Sequence, residues 1–543
     1  MKELGGNKTQ TWDPHSHKWL KWRVCRRRPD LSKMASFKER QLYQNMIECD
    51  GLNGGAPPQL ARPPLLSGQP FIIFWGILDS SCSNRADARS FGMERERIAV
   101  FYEDTLGSYP YFVDKNTPVN KGLPQHTRLN SHIQKLQQDL DAALPSPRYL
   151  GLGVLRWAEW LPQWSRNREK QAMYQEASRK LMKSFFPKWT PEEVEKWSKV
   201  DFEAAAQSVM TESLREVKRL RPKALWSFSP YPSCNNNDPT QTALGNYSGQ
   251  CAPAEAALND QLLWLWKRCS ALYPLLTLDK LQSGTPGARL SSSGQIREAL
   301  RVSSLAGRDF DLPVFPLVKS VYASTKTFLS QTDLVNTIGE SAAMGTAGIV
   351  IWDKSEPKTE RECQDLAEFV QKVLGPYLVN ITTATQLCSA SLCQGRGRCV
   401  RLDPDSSAYL HLPPSSTAAG KVAEKVGKGT VQSDKDNETA EPDPAEIWKK
   451  DFQCQWYKTA GGDASDQQAP RDGAESEADA GGVTAAPAAK SASDTKFRRT
   501  DPPDTGNSKP SLEAPTDSAA SLPADPNVMV LLGLVAGSLC LGP

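Results

Sequence analysis

Charge of one sign is what this 543-residue chain lacks: 65 lysines and arginines stand against 62 aspartates and glutamates, a net of +3. A nucleic-acid binder usually shows a concentrated basic face, so the balance excludes that class of partner and leaves any polyanion to a local groove. Histidine is also scarce, with five in the whole chain. The tightly spaced Cys388, Cys393 and Cys399 therefore fit an oxidised, extracellular disulfide framework better than a zinc site, which needs ligands about two to four residues apart and usually histidines. No metal and no cofactor is expected. The first 60 residues hold a basic patch at Arg23-Val24-Cys25-Arg26-Arg27-Arg28. They have no run of about 7 to 15 apolar residues such as a signal peptide needs. Residues 1–65 are expected to be an unstructured or mis-assigned extension.

Long hydrophobic runs are few. One closes the chain, Val528 to Leu541, and its 14 residues are short for a membrane span. With the small residues Ser518-Ala519-Ala520-Ser521 and a polar spacer before it, 528–543 matches a lipid-anchor signal of the glycosyl-phosphatidylinositol type. Residues 461–527, rich in Ala, Asp, Ser, Pro and Gly, read as a disordered stalk. Sequons at Asn246, Asn380 and Asn437 agree with an extracellular or cell-surface setting.

Between these ends the pattern is that of an α/β fold. Short apolar runs at Phe71–Trp75, Ile98–Tyr102, Leu152–Leu155, Ala224–Phe228 and Gly348–Trp352 read as strands. Amphipathic helices are predicted over Phe202–Arg219 and Pro253–Tyr273. Strands spaced by helices imply parallel βα units, and 543 residues leave room for a barrel of about 250 residues with appendages.

A set of ordered motifs resembles the animal hyaluronidase family: Pro70-Phe71 through Trp75, Gly107-Ser108-Tyr109-Pro110, Gly122-Leu123-Pro124-Gln125, Asn259-Asp260-Gln261-Leu262, Ala271-Leu272-Tyr273-Pro274 and Gly339-Glu340-Ser341-Ala342-Ala343. The resemblance covers roughly residues 70–456. It implies a distorted TIM-type (β/α) barrel, assigned to 66–385, followed by a small, disulfide-linked growth-factor-like module at 386–460. It also implies a monomer acting on hyaluronan or a chondroitin-type glycosaminoglycan at the N-acetylhexosamine linkage.

Against that family the chain lacks its acids. The family mechanism lets the substrate's own N-acetyl carbonyl attack the anomeric carbon while one glutamic acid protonates the leaving oxygen, a substrate-assisted variant of glycoside hydrolysis. The family pattern Asp-Trp-Glu-x-Trp-Arg-Pro meets Arg156-Trp157-Ala158-Glu159-Trp160-Leu161-Pro162 here, so Arg156 stands for the aspartate and Ala158 for the glutamate. Ser229 and Ser233 replace a tyrosine and an aspartate, and Gln295 an arginine. If the strand continued, its alternation would send Arg156 and Ala158 inward and Glu159 outward, unless a bulge re-aimed it. Glu159 is then either a substitute acid or an ion-paired rim residue.

By resemblance Tyr273 and Trp352 line the glycan cleft, with Trp160 a further candidate; the alternative is that these rings belong to the barrel core. Arg156 either favours a uronate-bearing polyanion or is paired with a neighbouring acid. The resemblance pairs Cys82 with Cys363, Cys234 with Cys251, Cys388 with Cys399, and Cys393 with Cys454. Trp456 stands where a further cysteine is expected, which implies a truncated or frayed module, and Cys269 is left as a buried thiol.

Overall fold

The computed structural model describes residues 11–13, 18–20, 59–83, 85–412 and 444–458. The stalk at 461–527, the apolar tail at 528–543 and the sequon at Asn437 lie outside the described residues. So do Cys25, Cys49 and Cys540.

Seven parallel strands carry the fold. They are β1 (Ile72–Ile77), β2 (Ile98–Phe101), β3 (Leu152–Leu155), β4 (Leu225–Phe228), β5 (Leu275–Leu276), β6 (Leu317–Lys319) and β7 (Gly348–Asp353). Their hydrogen bonds form two sheets rather than one continuous ring, in the orders β1-β7-β6-β5 and β2-β3-β4. The β1 side meets the second sheet where Trp75 N donates to Glu94 O (3.0 Å) just before β2, and the β4 side where Ser270 N donates to Trp226 O (2.9 Å) just before β5.

Both faces of these strands are buried, so they read as unbroken apolar runs. Ile72, Phe74, Leu152, Val154, Leu225, Leu317 and Val350 share one interior cluster with Tyr273 and Trp352. The alternate residues Leu155, Trp226 and Phe228 pack outward against Phe202, Val209 and Leu214 of the helix Pro191–Leu220. Gly153 permits this layer, because a Cβ there would sit 2.3 Å from the Trp226 ring. The helix starts at a capping box: Thr190 accepts from Glu193 N, the Glu193 side chain returns to Thr190 N, and Pro191 takes the first helical position.

Several expectations need correction. The fold starts before residue 66, since Ala61 bridges to Asp311 and Tyr457, and Thr11–Asp13 pairs antiparallel with Lys18–Leu20. The helix expected over Pro253–Tyr273 is two short helices, Pro253–Gln261 and Leu263–Trp266; after them the chain turns into the sheet, because Tyr273 is needed in the interior. The helix Gly375–Leu392 runs straight through the boundary drawn at 385/386, carrying Cys388 into the following segment.

The C-terminal segment is a two-stranded antiparallel pair, Gly397–Arg401 with Phe452–Trp456, held to that helix by Cys388–Cys399 and Cys393–Cys454. Its last pair, Gly397 with Trp456, is formed, so the strand is not frayed at that end. Cys82–Cys363 joins points 281 residues apart, Cys234–Cys251 closes a local loop, and Cys269 is a buried free thiol. The segment is locked to the strand-and-helix body by a buried ion pair: Arg401 Nη1 and Nη2 donate to Glu340 Oε1 and Oε2, each at 2.9 Å, and Ser293 Oγ also donates to Glu340.

Removing Arg401 leaves the buried Glu340 carboxylate only Ser293 and the more distant Arg289, at 4.0 Å, to offset its charge. Arg401→Leu is expected to cost about 3–5 kcal/mol in urea unfolding, and the double variant Glu340→Leu/Arg401→Leu clearly less. A single-variant loss below about 1 kcal/mol would show that the pair does not hold the segment in place.

Candidate functional site

The site lies at the C-terminal ends of the parallel strands, the end where parallel α/β folds place chemistry. Arg156 follows β3 directly, and its backbone N–H still donates to Phe101 O (2.7 Å), so the strand parity extends to it. The side chain therefore continues the inward series of Leu152 and Val154. Its guanidinium carbon lies 5.2 Å from the centroid of the Trp352 ring, and Nη1 is 3.5 Å from Ser229 O. Among the described residues Arg156 makes no ion pair within 4.0 Å. It is therefore not paired with a neighbouring acid but is a cation stacked on an aromatic face. Burial pulls its pKa below the ordinary arginine value; Tyr102, Tyr231, Glu103 and Glu159 act in the opposite direction.

Trp352, the penultimate residue of β7, is 5% exposed and donates from Nε1 to Tyr102 OH at 3.0 Å. Two residues on, Lys354 Nζ donates to Glu103 Oε1 at 2.5 Å. Glu159 joins this group. β3 ends at Leu155, so the alternation that would have turned Glu159 outward does not reach it. Its carboxyl is half-buried and lies within electrostatic reach of the Glu103 carboxylate. Burial and the Glu103 charge raise the Glu159 pKa above the usual glutamate value, while Lys354 and Arg156 oppose the shift.

The other substituted positions have been absorbed into structure. Ala158 contributes a carbonyl, which accepts from Gln171 Nε2 at 2.9 Å, and a methyl group with no proton to give. Gln295 braces the Pro232–Cys234 backbone, accepting from Cys234 N (2.8 Å) and donating to Pro232 O (2.9 Å). Ser233 O accepts from Asn259 Nδ2 at 2.9 Å, and Ser229 N extends the ladder by donating to Leu155 O at 3.0 Å.

Two proposed sugar platforms are not at the surface. Tyr273 is fully buried with its hydroxyl on Leu225 O, filling the space between the sheets. Trp160 is 1% exposed, stacks on Tyr109 at 5.1 Å, and donates to Pro110 O (2.8 Å) within the layer under the helix Pro191–Leu220. Both faces of each ring are covered by apolar neighbours, which the spacing of the motifs did not disclose.

The residues that sequence reasoning missed are Tyr102, Glu103, Tyr231 and Lys354. All four come one to three residues after a strand end, and counting forward from the strand-like runs would have found them. Among the described residues no group of three or more His, Cys, Asp or Glu is placed to hold a metal, and no helix is long and apolar enough to cross a membrane. Asn246 is exposed, whereas Asn380 lies on a helix with Oδ1 accepting from Leu412 N at 3.1 Å.

The Glu159 shift has a signed consequence. Its folded pKa is raised, so stability linked to this side chain is fully present below the unfolded value and is lost as pH rises through the folded one. In thermal melts from about pH 4 to about pH 7, wild type should lose stability relative to Glu159→Gln as pH increases. Parallel curves would show that Glu159 is solvated and not part of the carboxyl pair.

The hyaluronidase family pattern matches residues 60–469 of the chain. Hyaluronidase-2 of Rattus norvegicus is 36% identical over 428 residues, covering 74% of this chain and 89% of that protein. Hyaluronidase-2 of Homo sapiens is 38% identical over 367 residues, covering 65% and 77% respectively. In three dimensions the chain is similar to bee venom hyaluronidase, with a TM-score of 0.52 and 27% identity over 57% of this chain and 99% of that one. A second bee venom structure, solved in complex with a hyaluronic acid tetramer, superposes with the same TM-score at 26% identity. The chain belongs to the hyaluronidase family.

Proposed function

We propose that this chain is an extracellular or cell-surface protein that binds hyaluronan or a chondroitin-type glycosaminoglycan and has lost the efficient hydrolysis of its family. The observation that carries the reading is Arg156, a cation with no ion pair among the described residues, stacked on Trp352 where the family pattern has a carboxylate. A carboxylate in that place would help orient a reacting N-acetyl group; a guanidinium instead attracts an anionic sugar. The neighbouring Ala158 has no proton to deliver to a leaving oxygen. Loss of a positioned general acid alone removes about 10²- to 10⁴-fold in rate. The changes at Arg156, Ala158 and Ser229 need not multiply, because residues of one site act as a unit. Four disulfides fit an oxidising compartment.

A second reading rests on one observation, the half-buried Glu159 carboxyl, whose pKa is raised by burial and by the nearby Glu103 charge. Burial beside a second carboxylate is one way in which enzymes raise the pKa of a general acid. On this reading Glu159 acts as a displaced general acid and residual hydrolysis survives.

Purified protein is expected to be retained on immobilised hyaluronan and to leave the polymer's length unchanged over hours by gel electrophoresis. The triple variant Arg156→Asp/Ala158→Glu/Ser229→Tyr, which rebuilds the family pattern, should raise depolymerisation by about 10²-fold or more. Depolymerisation by the wild-type protein that disappears in Glu159→Gln would overturn the first reading and establish the second.

A further inference from the structure

Three polar groups at the inner end of β3 and β4 are buried without a partner. They are Arg156 Nε, the Ser229 hydroxyl and the Tyr231 hydroxyl. The topology sets them together. β3 and β4 pair in register through Leu155 and Phe228, so Arg156 and Ser229 leave adjacent strands side by side. The guanidinium reaches to 3.5 Å from the Ser229 carbonyl, and Tyr231 lies two residues further along the same strand exit. Tyr231 faces the charges of both Arg166 and Arg156, and its ring packs beside Trp266 with centroids 6.4 Å apart. Ser229 and Tyr231 are fully buried, whereas Arg156, stacked on the Trp352 ring, is only partly so.

Native interiors leave few buried polar groups unsatisfied, because each one forfeits its hydration without return. Three in one place call for a ligand that supplies what they lack. All three can donate, and one carries a fixed positive charge. A carboxylate is acceptor-only, presents two oxygens, and forms its strongest hydrogen bonds with a guanidinium and with hydroxyls. A neutral hydroxyl-bearing sugar ring would satisfy the donors but leave the charge uncompensated.

We infer that Arg156, Ser229 and Tyr231 form a carboxylate-binding subsite whose ligand is the uronate of a glycosaminoglycan chain, with Trp352 behind the guanidinium. The inference rests on the glycan-binding reading above and narrows it to the uronate, the residue that carries the charge of an unsulfated chain. The same chemistry would accept a free small carboxylate, so the test must separate the two sources.

Binding of a hyaluronan octasaccharide, its carboxyl-reduced counterpart and free glucuronate is measured by calorimetry, alongside tryptophan fluorescence, on the full chain. Wild type should prefer the native octasaccharide over the reduced one by about tenfold or more, the size of effect that a charge-assisted contact supports. Tyr231→Phe keeps the ring and removes only the hydroxyl. It should abolish most of that preference while leaving the melting temperature unchanged or higher, as Ser229→Ala should also do. Equal binding of the two octasaccharides would overturn the subsite while leaving glycan binding in place. Binding of glucuronate without either octasaccharide would uphold the carboxylate site and remove the glycan reading. If none of the three ligands binds, both fall.

Discussion

The strict alternation of side chains along the parallel strands is the constraint on which the rest of the molecule depends. Because each strand is buried on both faces, every second residue is committed to the shared interior and the others to the helical layer. A slip of one position would exchange Val154 for Leu155 and expel Trp226 from the slot that Gly153 leaves for it. The same rule fixes what stands at the strand ends. Leu152 and Val154 point inward, so Arg156, still held by Phe101 O, points inward too. A charge inversion at this position could not be hidden by turning outward; the fold had to accommodate it.

The accommodation is visible in what surrounds the guanidinium. Trp352 offers its face, Tyr102 fixes that indole by a hydrogen bond, and Lys354 is drawn to Glu103. Glu103 in turn faces Glu159, whose pKa it helps to raise. Two cations and two carboxyls thus occupy a region where the family pattern has two carboxylates on one strand. The electrostatics of the site have been rebuilt rather than neutralised, and this is why a retained binding role is favoured over an inert scaffold.

Much of the fold was legible because its signals are local. The runs at Leu152–Leu155 and Gly348–Trp352 needed only apolar continuity, whereas the helix predicted over Phe202–Arg219 begins earlier, at Pro191, behind a capping box. The strands Leu275–Leu276 and Leu317–Lys319 were missed, being too short to show a period. The boundary before the C-terminal segment was misplaced because Cys388 sits inside a helix that began thirteen residues earlier, and the buried Glu340–Arg401 pair that fastens that segment joins positions no local pattern relates.

The candidate site divides along the same line. That Ala158 and Arg156 stand where the family pattern has its glutamate and aspartate was legible in the order of residues, through the resemblance alone. Whether Tyr273 and Trp160 are sugar platforms or core could not be determined in that way. Burial is a property of what other segments bring, here the facing sheet for Tyr273 and the helix Pro191–Leu220 for Trp160. Glu159 turned on where the strand stops, and the end of a strand is decided by its neighbours' hydrogen bonds, not by its own side chains. The sequence determined which residues follow the strands; only the tertiary structure decided which groups stand together there.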